Sequence, residues 1–150
     1  MEEQIKMAKL NAEYKKKQND LKARKQSVEA GKHAALQQVD ETYHTKKCEL
    51  LADIADIRKK KECLTLEDPK RYDLSDDIRN IEDMLNIIRD ERDIKARNVA
   101  HEAFADLMDL EEEGRRLDEW LEDEKIKVME EQHAARLAKE AAEAEEGGEQ

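Results

Sequence analysis

Large rings are nearly missing from this chain: one Trp, one Phe and three Tyr among 150 residues. A globule of that length normally buries one thick core, and these few aromatics cannot fill it. Turn formers are scarce as well, with four glycines and one proline. No run of 18 apolar residues occurs, so no segment reads as a membrane span. The opening residues, Met1 to Lys6, lack the apolar stretch of a secretory signal. The expected location is therefore the cytoplasm, or the interior of an assembled particle.

Cysteine is limited to Cys48 and Cys63. On one helix they stand about 22 Å apart at 1.5 Å per residue. A disulfide needs Cα atoms within about 7 Å, so the two cannot bridge within that helix. Free thiols in a reducing compartment are the plain reading, and a bridge between chains is the lesser one. Catalytic groupings are absent too. There is no Gly-rich phosphate loop, no Ser/His/Asp set with supporting elements and no cleft-forming sheet pattern. No enzyme activity and no cofactor are expected. No motif ties the chain to a family.

What is present is charge: 45% of the residues are Asp, Glu, Lys or Arg. The apolar remainder is mostly Ala, Leu, Ile and Met, good or neutral in helices. This is the composition of long solvated helices. The fold expected is all-α. The strongest break surrounds Pro69, which cannot occupy a helix interior and pushes Asp68 out of the α region. Ser75 reads as an N-cap, with Asp76 and Asp77 suited to the positive end of a helix dipole. The reading is one elongated helical hairpin over 1–150. It has a helix over 2–63, a turn over 64–75, a second helix over 76–142 and a frayed acidic tail over 143–150.

Periodicity supports two seams of coiled-coil type. Leu36, Tyr43, Leu50, Ile57 and Leu64 recur every seven residues. Tyr14, Leu21, Val28 and Ala35 do so one position out of phase, as if a four-residue stutter intervened. Val28, Val39 and Leu50 fit an eleven-residue spacing, which implies a locally straightened supercoil. In the second arm Leu74, Ile78, Ile81, Leu85 and Ile88 alternate by four and three. Farther on, Ala100, Leu107, Gly114, Leu121, Val128 and Ala135 form one row, with Ala103, Leu110 and Leu117 beside it.

Charge favours an antiparallel pairing. Residues 1–75 hold 17 basic and 14 acidic side chains, and the rest hold 11 and 25. Folding about Pro69 places the basic stretch from Lys15 to Lys25 opposite Arg116 to Glu124. Exposed pairs are worth only about 0–1 kcal/mol each, but they select register and direction. Gly31 and Gly114 interrupt the arms, either as a paired hinge or as two tolerated glycines.

The candidate functional surface is the region near the turn, where the apolar stripe widens. A two-helix seam uses about two positions per heptad. Leu50, Leu51, Ile54 and Ile57 on one arm, with Ile78, Ile81, Met84, Leu85, Ile87 and Ile88 on the other, exceed that. The excess calls for a further partner surface. Trp120, beside Leu117 and Leu121, reads either as packing against Leu21 or as an interface anchor. Asp40, His44 and Cys48 share a helix face, with His101 in reach of them in the hairpin register. No HxxxH or CxxC pair anchors that set, and no metal site is expected. The net charge of −11 disfavours nucleic acid. The Lys6–Lys25 arm offers only Tyr14 as a stacking ring, and Arg58 to Lys61 suit a helix C-terminus.

The function expected is that of a non-enzymatic coiled-coil structural or assembly protein, a homo-oligomer or a subunit of a larger complex such as a scaffold or virion. The alternative is a holdase-type chaperone or secretion-associated adaptor that grips a partner protein with the apolar end. Nucleic-acid packaging through the basic arm ranks third.

Overall fold

A computed structural model describes residues 1–148. Two helices account for nearly all of them: α1, Glu2–Glu62, and α2, Lys70–Gly148. They form an all-α hairpin, with no strand among the described residues. No helix among them is long and apolar enough to cross a membrane. Glu2 and Glu3 in the first turn of α1, and Lys59, Lys60 and Lys61 in its last, complement the helix dipole.

The link between the helices is shorter than the sequence suggests. α2 starts at Lys70, not at Asp76, and its cap is Asp68. The Asp68 carboxylate accepts a hydrogen bond from the Lys70 amide at 3.0 Å, satisfying one of the orphan donors of a helix start. Pro69 then occupies the first helical position. There its missing N–H costs nothing, and its fixed φ already suits the helix. Ser75 is not a cap. Its hydroxyl donates to the Arg71 carbonyl at 2.9 Å, an i−4 bond inside the helix. Pro69 was legible as a break; its role as a helix start depended on the residue before it.

Arg71 ties the two helices together at this end. Its guanidinium donates to the Lys61 carbonyl at 2.9 Å and the Leu64 carbonyl at 3.1 Å. Both oxygens belong to the unwinding end of α1, where carbonyls lose their helical partners. Cys63 still bonds back to Lys59, but Leu64 reaches only Lys61, the tighter three-residue step of a closing turn.

The chain divides into two units. The unit Val28–Ala105 holds the turn and both flanking arms. Ile54 and Ala103 are its buried residues, 4% and 6% exposed. Near the turn the half-buried positions recur every seven residues through Leu50 and Ile57 on α1 to Leu64 just past its end, and alternate by four and three through Leu74, Ile78, Ile81, Leu85 and Ile88 on α2. Beyond them the spacing lengthens to eleven. Val28, Val39 and Leu50 on α1 are half-buried, and so are Ile88 and Val99 on α2. Eleven residues in three turns lie close to the natural helical pitch, so supercoiling relaxes here.

The other unit pairs Met1–Ser27 with α2 from Asp106 onward. Leu110 and Val128 are buried in it. Among the described residues three ion pairs cross between the helices here: Lys6 with Glu131 at 3.2 Å, Arg24 with Glu113 at 2.6 Å, and Glu3 with Arg136 at 4.0 Å. The basic arm therefore meets the acidic one, as the charge count implies. The apolar row of α2 ends earlier than expected. Ala135 is exposed, as is every described residue from His133 to Gly147. The helix nevertheless continues through Gly148 rather than stopping at Ala142. Ala and Glu dominate this stretch and are strong helix formers without any packing. Of the tail expected to fray, residues 149 and 150 lie outside the described residues.

Gly31 and Gly114 lie within continuous helices, neither has a positive φ, and a Cβ on either would meet nothing within 4 Å. Replacing either with Ala should raise stability by about 1 kcal/mol, the helix-propensity difference. Denaturant titration followed by circular dichroism reads this, and a loss of stability would reveal a constraint on the glycine. By the same measurement Asp68→Ala should cost about 1 kcal/mol as a lost cap. Ser75→Ala should stay within about 0.5 kcal/mol. The reverse ranking would return the helix start to Ser75.

Candidate interaction surface

The ten apolar residues singled out near the turn do not form one face. Seven belong to the seam: Ile54 is buried, and Leu50, Ile57, Ile78, Ile81, Leu85 and Ile88 are half-buried. Leu51, Met84 and Ile87 lie outside it, 45%, 50% and 55% exposed. The reason is helical geometry. Met84 and Ile87 each precede a seam residue, and Leu51 follows one. At 100° per residue these offsets turn side chains to opposite flanks.

Met84 and Ile87 border a groove of about 240 Å³, shared with Lys46, Glu49, Leu50 and Ile88. Leu51 is not part of it, being about 200° around α1 from Glu49. A second groove of about 300 Å³ continues from the first, with Lys46 and Ile88 common to both. Its floor is Ala35, Val39 and Val99, and its rim carries Glu91 and Lys95. Tyr43 closes one side. The Arg92 guanidinium stacks over its ring at 4.2 Å while donating to Asp93 at 3.2 Å. A half-buried Arg at a seam position is tolerated because its planar group covers an aromatic face and keeps a carboxylate partner.

Ile94 belongs to the same strip and escaped the sequence reading. It is 55% exposed and lies two helical turns beyond Ile87. The seven-residue step from Ile87 was the available signal. Also exposed are Leu66 and Tyr72 at the turn and Phe104 on α2.

Trp120 sits in the unit of the chain ends, half-buried. It shares a groove of about 340 Å³ with Leu21 and Leu117, and Lys17 lies over its ring at 4.0 Å. Trp120 and Leu21 thus line one groove, and a cation covers the indole ring. Nearby, the Tyr14 hydroxyl donates to Asp118 at 2.6 Å. That bond holds the proton on the phenol and raises its pKa above the ordinary value, with slight desolvation and the Asp118 charge adding to it. The hydrogen bond from Arg24 lowers the pKa of Glu113.

Asp40, His44, Cys48 and His101 are all exposed. Among the described residues no three His, Cys, Asp or Glu side chains come together as a metal-holding group. Cys48 and Cys63 are free and exposed.

The Tyr14 bond makes a direct test of the pairing at this end. A raised phenol pKa means the contact contributes fully below the ordinary tyrosine value and is lost as pH rises through the folded one. Ultraviolet titration of the parent minus Tyr14→Phe should show a phenol ionising later than free tyrosine. Asp118→Asn should bring that transition back toward the ordinary value. A Tyr14 that titrates normally in the parent would mean the contact does not form.

Comparison with family models, curated proteins and solved structures finds no match to this chain.

Proposed function

We propose that this chain is a non-enzymatic coiled-coil assembly protein that works by docking its helical surface on protein partners. The observation that carries this reading is the strip of Met84, Ile87 and Ile94 standing half out of the seam beside an apolar-floored groove. On a surface this rich in charge, apolar side chains exposed along one flank of a helix mark an interaction site. Each such side chain gains about 1.5–3 kcal/mol on full burial, so two or three outweigh the exposed ion pairs of the chain-end unit, worth about 0–1 kcal/mol each. The charged unit of the chain ends then serves as a spacer or weaker contact.

Free, exposed Cys48 and Cys63 suit a reducing setting, which supports work in the cytoplasm or within an assembled particle. A second reading, a holdase or adaptor gripping clients with the turn, draws on Leu66 and Tyr72, 87% and 77% exposed there.

The test compares two double variants. Met84→Lys with Ile87→Lys should abolish association while far-UV circular dichroism stays helical. Lys16→Glu with Lys22→Glu should leave association within about threefold of the parent, as expected for exposed charges. Association is read by light scattering and by retention of partners from the native source. If the Lys variant associates like the parent, or only the Glu variant dissociates, docking is at the charged end. If Leu66→Ser with Tyr72→Ser alone loses binding to unfolded clients, the holdase reading replaces this one.

A further inference from the structure

We propose that the groove between Met84 and Val99 is filled by a second copy of this chain, stacked in the same direction, so that α2 of one copy lies on α1 of the other. This rests on the assembly reading above and names its partner. The first support is local charge. The whole chain carries −11, yet the spans that build the groove, residues 35–50 and 84–99, together hold six acidic and six basic side chains. Two copies repel each other overall, and this zone is exempt.

The second support is where those charges lie. Lys46 on α1 and Glu91 on α2 line the same groove, on opposite helices. Arg89 and Arg92 pair with their neighbours Asp90 and Asp93, but Lys46 and Glu91 form no ion pair among the described residues. A two-fold axis parallel to the helices keeps every residue at its own height and exchanges the helices. Lys46 of each copy then meets Glu91 of the other, with charges alternating around the four helices. At the next level toward the turn, Leu50 and Ile88 of both copies form an apolar layer, with Met84 and Ile87 covering its edge and the Glu49 carboxylate at its border.

The other face-to-face arrangement inverts one copy, α2 on α2 and α1 on α1. Centred on the same Ile87–Ile88 layer, it sets Glu91 against Met84 and Lys46 against Asp53, and brings the Glu49 of both copies side by side. Glu91 pressed onto Met84 loses hydration with no partner, and the two Glu49 carboxylates repel each other. Charge complementarity therefore selects the same-direction dimer. The relaxed supercoil of the eleven-residue stretch lets two hairpin segments lie alongside over this length.

Size sets the strength. Fifteen residues of helix span about 22 Å, and two helices are about 20 Å across, which gives roughly 450 Å² per copy. That is below the ~800 Å² per partner of standard stable interfaces. The dimer is a reversible one that dissociates on dilution.

Sedimentation velocity on the full chain across concentration, with circular dichroism to confirm helicity, tests this. The parent should show a monomer–dimer equilibrium. Lys46→Glu alone and Glu91→Lys alone should each raise the dissociation constant about tenfold, since each puts two like-charge contacts in one dimer. An equimolar mixture of these two single variants should form heterodimers to within about threefold of the parent. In the mixed pair the carboxylate introduced at position 46 faces the ammonium introduced at position 91. The unchanged Lys46 and Glu91 face each other across the second contact. A contact confined to one chain cannot be rescued by mixing. A parent that stays monomeric overturns the second copy as occupant. The assembly reading would then stand or fall on partner loss in the Met84→Lys, Ile87→Lys variant. A parent dimer whose single variants are unchanged, or are not rescued by mixing, overturns the same-direction stacking.

Discussion

Everything in this chain follows from how little two helices can bury against each other. A pair of helices shares one narrow seam, about two residues per heptad from each. Among the described residues only four, Ile54, Ala103, Leu110 and Val128, are buried. The helices therefore depend heavily on local terms: strong helix formers throughout, acidic residues at the start of α1 and basic ones at its end, and the two linked caps at the turn.

Those caps make the hairpin end a fixed joint. Asp68 satisfies the start of α2, and three residues on Arg71 satisfies the end of α1. A helix end usually finds water or a nearby side chain for its orphan groups. Here the chain after the turn reaches back to serve the helix before it, so that direction reversal and termination of α1 are one event. The pairing of unlike arms then follows from charge. Lys6, Arg24 and Arg136 each meet a carboxylate across the seam, weakly in energy but consistently in sign.

The narrowness of the seam also creates the surface proposed to work. An apolar residue one position before the seam cannot turn inward, so Met84 and Ile87 stand on the flank and border a groove with an apolar floor. Where the spacing lengthens to eleven, small Ala35 lines the groove and Arg92 lies over Tyr43 instead of a large aliphatic pair. The same patterning that weakens the two-helix core prepares a face for a third and fourth helix.

Sequence by itself determined the helical class, the single break at Pro69, the antiparallel direction and the eleven-residue relaxation. Each is set by local chemistry or by periodicity along one helix: proline's fixed φ, the sign of the arms, the 11-residue step from Val28 through Val39 to Leu50. Sequence could also count an apolar surplus near the turn. Tertiary structure alone decided where the surplus goes. Leu51 and Ile87 look equivalent as letters beside a seam residue, and only the packed pair shows that they fall on opposite flanks. The cap moved from Ser75 to Asp68 for a related reason. Both residues are good caps, and the choice lay with Pro69, which accepts the first helical position once Asp68 can reach the Lys70 amide. Arg71 gave no signal of its own, because the carbonyls it serves, those of Lys61 and Leu64, become its neighbours only when the chain has turned.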